Sequence, residues 1–410
     1  MSSASDGVTR RTMMFQVAPA AAITAAGIGQ AAMAAVDRSR TDPGPKNPDL
    51  DAQNPDSTWP PPTDSKSLVQ NFKYPFSFAN KRAYEGGWSR EVTVRELPVS
   101  KSLAGVNMRL TPGGVRELHW HTAAEWSIML YGTARITAVD KDGKSFVADV
   151  KKDDLWYFPS GIPHSIQGLE PDGAEFMLVF DDGDFSESDT VLLSDSMAHL
   201  PPDILSKNFG VAQSALKNLP KQELFILQTA VPGALEADQK AAAGGPDGKS
   251  PHEYAFRTME MPPTKVTKGG EVRIVDSSTF KVSKTVAMAM VTVHPGGMRE
   301  LHWHPNSDEW QYYISGKGRM TVVATGNKGR TMDFQAGDVG YVEKSLLHYI
   351  ENTGDTDLTF LEMFKSSYYQ DLSFSVWLTH TPPELVMAHL NIDKATLDAM
   401  PKTKDVIVPA

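Results

Sequence analysis

The chain has 410 residues, with 40 basic side chains against 50 acidic ones, a net charge of −10 and no cysteine. That length suits two domains rather than one, and 40% hydrophobic with 22% charged residues is ordinary for a soluble globular fold. The lack of cysteine excludes disulfides, thiolate metal ligands and cysteine nucleophiles, and an acidic chain without a basic block is no reader of nucleic acid.

The chain opens with Thr9-Arg10-Arg11-Thr12-Met13-Met14, a twin-arginine pair, followed by an uncharged, Ala-rich run over 15–35 with a small-residue cleavage site at Ala32-Met33-Ala34. This pattern predicts a cleaved leader over 1–35 and export through the twin-arginine route to the periplasm or beyond. A disordered tail or a membrane anchor is the alternative, but so much Ala and Gly is weakly hydrophobic for permanent anchoring, and the mature protein is read as free of the membrane. Residues 36–70, rich in Pro, Asp and Asn, read as an extended arm.

From 71 to 231 the chain reads mainly as strands. Residues 106–110 end at the turn Pro112-Gly113-Gly114, residues 128–131 end at Gly132, and 176–180 is a continuous apolar run. Pro202 then marks a helix start before the amphipathic stretch 204–209. Residues 232–252 are Gly-, Ala- and Lys-rich and read as a linker. From 253 to 410 the order repeats, with strand runs at 287–291, 313–315 and 358–361, the turn Pro295-Gly296-Gly297, and a helix start at Pro383 before 385–390. Many short strands with regular Gly and Pro punctuation predict an all-β sandwich or barrel of jelly-roll type, with short helices closing each half.

The two halves are copies. Gly86-Gly87 recurs as Gly269-Gly270, Val99-Ser100-Lys101 as Val282-Ser283-Lys284, and Arg116-Glu117-Leu118-His119-Trp120-His121 letter for letter as Arg299-Glu300-Leu301-His302-Trp303-His304. A whole-domain match of this kind is a tandem duplication.

The duplicated hexapeptide carries chemistry. On a strand, His-x-His places both imidazoles on one face. A carboxylate follows each pair, Glu125 and Glu309, and a third histidine lies 39 residues beyond it, His164 and His348. Three imidazoles and one carboxylate leave positions open for water or substrate and suit Mn or Fe, although zinc also takes such ligands. One histidine alone is more often a packed core residue, yet here eight ligand-type residues form two matching quartets. His199, His252, His294, His380 and His389 stand outside them and are read as structural.

From Asp42 to Val406 the sequence resembles the bicupin oxalate decarboxylases. Besides the twin Arg-Glu-Leu-His-Trp-His, the shared motifs are Trp156-Tyr157-Phe158-Pro159-Ser160-Gly161, Pro163-His164-Ser165-Ile166-Gln167, Phe180-Asp181-Asp182-Gly183 and Glu309-Trp310-Gln311-Tyr312-Tyr313-Ile314-Ser315-Gly316. The resemblance implies two cupin barrels, one Mn(2+) in each, O2 as an activator, conversion of oxalate to formate and CO2, and a homo-oligomer, a trimer or a hexamer of two trimers. Arg116 and Arg299, three residues before the first histidine of each quartet, are then candidate clamps for an oxalate carboxylate, since a guanidinium binds carboxylate in bidentate fashion. Ser186-Glu187-Ser188-Asp189-Thr190 matches the family's mobile lid and makes Glu187 the proton donor of the first site. Residues 365–370 of the second half hold no acid, and Glu362 matches the position proposed as that site's acid, so most chemistry is expected at the first site.

The lid departs from the usual bacterial Ser-Glu-Asn-Ser-Thr at Ser188-Asp189. Since the lid separates decarboxylase from oxalate oxidase in this fold, release of CO2 and H2O2 is the main competing activity. A storage or sugar-binding bicupin is disfavoured by the intact ligand sets, and another Mn or Fe dioxygenase by the placed arginines. Trp120 and Trp303, between the paired histidines, point away from the ligand face and read as core or interface aromatics.

Overall fold

The computed structural model describes residues 47–53, 69–244 and 247–410. The expected leader over 1–35, and most of the arm over 36–70, lie outside the described residues. Residues Asp49–Ala410 form one compact unit.

Each half is a β-barrel of jelly-roll type. In the first, Gly87–Val92, Ala104–Leu110, Ala174–Phe180, Glu125–Val139 and Asp154–Phe158 pair in that order on one side, all antiparallel. Gly114–Trp120, His164–Gly168, the far end of Glu125–Val139 and Ser145–Lys151 form the other side. The 15-residue strand Glu125–Val139 serves both sides by bending at Gly132, whose φ is +74°. A Cβ there would stand 2.0 Å from the Gly173 carbonyl oxygen, so only glycine turns this corner. The second half repeats the corner at Gly316, where the strand is divided into Glu309–Ser315 and Lys317–Ala324.

The halves exchange short strands. Lys73–Pro75, expected in the first domain, pairs with Asp338–Val342 of the second, and Ala255–Arg257, expected in the second, pairs with Asp154–Phe158 of the first. Each exchanged strand carries a cation to the aspartate that opens the receiving strand. Lys73 Nζ lies 3.0 Å from Asp338 Oδ2, with both side chains buried, and Arg257 pairs with Asp154. A three-residue edge strand has little sequence signature of its own, so the exchange crosses the expected divisions at 71 and 253 unannounced.

The front sheets of the halves meet in one apolar core containing Trp126, Tyr157, Met177, Trp310, Tyr341 and Met363, all nearly inaccessible. Gly105 makes the closest approach: a Cβ on it would lie 2.4 Å from the indole of Trp310. A second core, around Val106, Met108, Ile136 and Phe176, fills the first barrel.

Both helical expectations hold. Leu193–His199 and Pro202–Phe209 close the first half, and Phe374–Thr379, Pro383–Leu390 and Lys394–Ala399 the second, with prolines in the first turn of the middle helices. The segment 232–252 is more than a linker. It contains the helix Leu235–Ala242, held to the first barrel by Arg135, which bonds the Gly233 carbonyl and Asp238, and by Gln239, which donates to the Val147 carbonyl.

Candidate metal centres and active site

The expected ligands converge in both halves. His119, His121, Glu125 and His164 are buried with their ligand atoms within 4.8 Å of one another, and so are His302, His304, Glu309 and His348. The cause is strand geometry. His119 and His121 share a face by alternation, while His164 sits opposite His119 on the paired strand, as His348 sits opposite His302. A register shift between Arg116 and His119, repeated between Arg299 and His302, turns the strand as it enters the site.

All six ring Nδ1 atoms meet backbone carbonyls: His119 on Glu117, His121 on Ala123, His164 on Ile162, His302 on Glu300, His304 on Gln370 and His348 on Leu346, at 2.6 to 2.9 Å. A carbonyl only accepts, so each Nδ1 carries the proton and each Nε2 presents a lone pair to the centre. His302 Nε2 and His304 Nε2 face each other at 3.1 Å, an arrangement that calls for a shared cation. His164 Nε2, His348 Nε2 and Glu309 Oε2 are buried without a well-directed hydrogen bond, and they crowd the centre instead: Glu309 Oε2 lies 2.8 Å from His348 Nε2 and 3.1 Å from His304 Nε2, and His164 Nε2 lies 3.4 Å from Glu125 Oε2. Against the upward push of burial, His121 and His164 hold Glu125 well below the usual carboxylate range, and His348 and His304 do the same for Glu309. Burial keeps His119 and His302 neutral, as metal binding requires. This donor set fits a Mn- or Fe-type ion with open positions.

The carboxylate ligands are supported differently, which the ligand spacing did not reveal. Glu125 Oε1 accepts from the Ser127 hydroxyl and from the Trp156 indole, each at 3.1 Å. Glu309 Oε1 accepts from the Gln311 amide at 2.7 Å, whose own oxygen accepts from Tyr313 at 2.9 Å.

The greater difference lies in the arginines. Arg116 is 3% exposed, its guanidinium 3.9 Å from the Phe225 ring centre, with a single hydrogen bond to the Phe225 carbonyl at 3.4 Å and, among the described residues, no ion-pair partner. Burial lowers its pKa, and Glu187 and Glu125 counter that from nearby. Arg299 is fully buried and already engaged. Its Nε donates to Glu362 at 3.1 Å, Nη2 to Asp371 at 2.6 Å and to the Tyr369 hydroxyl at 2.8 Å, and Nη1 to the Val406 carbonyl at 3.3 Å. Arg299, expected to clamp a substrate carboxylate, thus has four of its five N–H donors engaged within the protein. Glu362 is buried, as a site acid would be, and burial pushes it up to about 7 against the pull of Arg299, yet it is that arginine's partner. Asp371, held low against burial by Arg299 and Lys404, escaped the sequence reading because it falls one residue past the stretch compared with the lid.

The lid is the third difference. Ten residues separate Phe180 from the strand Val191–Leu192, against seven between Phe364 and Leu372–Ser373, and the surplus is the 3₁₀ turn Glu187–Asp189. Phe185 stacks on Phe180 at 3.6 Å and meets His121 edge-on, closing the lid over the metal ligands. Glu187 is 2% exposed, and its Oε2 accepts from the Ser89 hydroxyl at 2.8 Å. Burial raises its pKa, while Arg116 and Ser89 oppose the rise. Asp189, which sequence alone set near the anion site, is exposed. Trp120 is 37% exposed and Trp303 packs edge-on against Trp377, so neither belongs to the barrel core. Four of the histidines outside the quartets make local contacts: His199, His380 and His389 bond carbonyls one helical turn back, and His294 pairs with Asp357.

Residues 76–217 and 258–398 each match the Cupin family. Over 372 residues the chain is 52% identical to the oxalate decarboxylase of Bacillus subtilis (strain 168), covering 91% of this chain and 95% of that one. A probable oxalate decarboxylase of Arthroderma benhamiae is 40% identical over 89% of this chain and 90% of its own. The structure of the Bacillus subtilis oxalate decarboxylase at pH 4.6 matches with a TM-score of 0.84 at 53% identity, covering 89% and 94% of the two chains. A structure from work on the Mn(II) centres of that enzyme gives 0.85 at 52%, covering 90% and 96%. Two jelly-roll barrels in tandem, each with a buried three-histidine, one-glutamate pocket, make this a metal-binding bicupin. The chain belongs to the bicupin oxalate decarboxylase family.

Proposed function

We infer that the chain is an oxalate decarboxylase, converting hydrogen oxalate to formate and CO2 at a manganese centre of the first barrel, with O2 as activator. The observation that carries this reading is the first pocket itself, where a buried cation without an ion-pair partner among the described residues, Arg116, and a buried lid acid, Glu187, stand beside a metal quartet. Manganese bound by His119, His121, Glu125 and His164 would supply a Lewis-acid and one-electron centre for C–C cleavage. The chain's own residues do the rest. Arg116 holds the carboxylate distal to the metal, where its fixed fork matches two oxygens. Phe185 and Phe180 keep water out while the lid is closed. The C–C bond breaks, CO2 leaves, the remaining carbon takes the proton of Glu187, an acid whose pKa burial raises, and the substrate's own carboxyl proton restores Glu187.

The second quartet holds a second manganese, giving two per chain. Its arginine is neutralised by Glu362 and Asp371, which supports a structural or electron-storing role rather than oxalate turnover. The exposed position of Asp189 removes the main argument for oxalate oxidase. Formate and peroxide measured from oxalate under air test the assignment: formate is expected in excess, and peroxide in excess would reject it.

Export through the twin-arginine route to the periplasm or exterior is supported by Arg10-Arg11 and the Ala-rich run after it, and sequencing the N-terminus of the exported protein tests it by finding residues 1–35 removed. Homo-oligomerisation, to a trimer or hexamer, is supported by exposed apolar side chains repeated in both halves, Leu118, Ile204 and Phe209 in the first and Leu301, Leu385 and Leu390 in the second, with Trp120 and Trp377 exposed beside them. Light scattering on the purified protein tests it, and a monomer at micromolar concentration would reject it.

A further inference from the structure

We propose that Glu91, aided by Ser89, Arg82 and Arg95, is the latch that holds the acid-bearing lid closed and so sets the split between formate and peroxide. The proposal rests on the reading of the first pocket as the decarboxylating site.

The latch is built on the strand Gly87–Val92, where Ser89 and Glu91 lie two residues apart on one face. Ser89, fully buried, donates to the Glu187 carboxylate at 2.8 Å. Glu91 Oε2 accepts the backbone N–H of Glu187 at 3.1 Å. That amide and that carboxylate therefore fix the same lid residue from both ends. Two guanidiniums tie Glu91 in turn. Arg82 Nη2 lies 3.0 Å from Glu91 Oε1, and its Nη1 reaches the Ser188 hydroxyl at 3.5 Å. Arg95 Nη2 reaches Glu91 Oε1 at 3.4 Å and the Phe185 carbonyl at 3.1 Å, and its Nη1 lies 3.8 Å from Asp184. The barrel strand thus grips the lid before, at and after Glu187, with a carboxylate between two cations at the centre.

The second half shows what the site looks like without the latch. Its strand Gly270–Val275 keeps the register through Gly270, Arg273 and Val275, but Val272 and Ile274 stand where Ser89 and Glu91 do, and Ser278 stands where Arg95 does. That half has neither the 3₁₀ turn nor a lid glutamate. Within one duplicated framework, the polar strand residues and the acid they would hold occur together or not at all.

Closure matters because of where the proton goes. With Glu187 seated, hydrogen oxalate gives CO2 and formate, the C–H bond taking its proton from the lid and the substrate's carboxyl proton restoring Glu187. With the lid open, oxalic acid and dioxygen give two CO2 and one H2O2, the electron pair of the broken C–C bond and both protons passing to dioxygen. A weaker latch therefore trades formate for peroxide.

The test uses the manganese-loaded full chain with Glu91→Ala, Glu91→Gln and Arg82→Gln, followed by hydrogen exchange of the lid amides over 184–190, by formate-to-peroxide ratio and by manganese content. For Glu91→Ala, exchange at the Glu187 amide is expected to rise tenfold or more, and the ratio to fall by a similar factor, at unchanged manganese. Glu91→Gln, which keeps an acceptor for the Glu187 amide, is expected to restore part of both. Unchanged lid exchange, or a ratio that stays at the wild-type value while the lid exchanges faster, overturns the proposal. Arg82→Gln, at a more exposed side chain, gives the same comparison if Glu91→Ala fails to fold. If the wild type makes mainly peroxide, the decarboxylase reading fails, while lid exchange in Glu91→Ala still decides whether the latch exists.

Discussion

The two pockets of this chain share a hexapeptide, a ligand set and a strand register, yet their second layers have opposite charge logic. Around the first quartet, a buried arginine stands without an ion-pair partner among the described residues, beside a lid acid whose pKa burial raises, so an oxalate carboxylate finds its guanidinium unpaired. Around the second, the equivalent arginine is closed off by Glu362, Asp371 and Tyr369, so an arriving carboxylate would have to compete with two carboxylates in an enclosed ion pair. The metal site is thus set by barrel geometry, which duplication preserves. The halves differ in the loop after Phe180 or Phe364 and in the arginine's neighbours, which duplication left free to diverge.

The sharpest way to break this comparison is to remove one quartet at a time. Glu125→Ala should cost one of the two ions and nearly all formate production, whereas Glu309→Ala should cost one ion and leave formate within about threefold of the wild type, as metal analysis beside a formate assay would reveal. Equal losses from both variants would erase the distinction. Next comes the acid: Glu187→Gln should lower formate production by about 10²–10⁴-fold with manganese unchanged, the usual span for a general acid. The arginines come third. Arg116→Gln should lower kcat/KM for oxalate roughly 100-fold or more, the worth of two charged hydrogen bonds. Arg299→Gln should instead appear in thermal unfolding, since stranding buried Glu362 and leaving Asp371 with Lys404 alone costs about 3–5 kcal/mol, with little change in kcat/KM.

The smallest effect is a shift in pH dependence. Burial raises the pKa of Glu187, whereas Arg116 and the Ser89 hydroxyl favour its charged form and oppose the rise. Only the protonated acid donates, so formate production falls as pH climbs through that pKa. Ser89→Ala removes a bond to the carboxylate, so the fall should move to higher pH in the rate profile. A shift to lower pH would show that Ser89 does not bond the charged form.

Much of this was legible in sequence because it depends on period and repetition. Alternation put His119 with His121, and the second copy at 302–348 made chance an unworkable explanation for eight ligands. The all-β class and the helix starts at Pro202 and Pro383 follow from turn residues and from the fixed φ of proline. What could not be read depends on contacts between distant segments. Asp371 meets Arg299 across 72 positions, and the three-residue edge Lys73–Pro75, with no pattern of its own, pairs with Asp338–Val342 of the other half. Ser89 and Glu91 form an intermediate case. Set against Val272 and Ile274 they are visible as departures from the repeat, but their meaning needs Glu187 in place.

The most direct test is the ratio of formate to peroxide from oxalate under air, measured on protein whose manganese has been quantified at both sites. Formate in large excess, abolished by Glu187→Gln and retained in Glu309→Ala, is the predicted result. Peroxide equal to or above formate in the wild type, at full manganese occupancy, would contradict the assignment of decarboxylation to the first pocket.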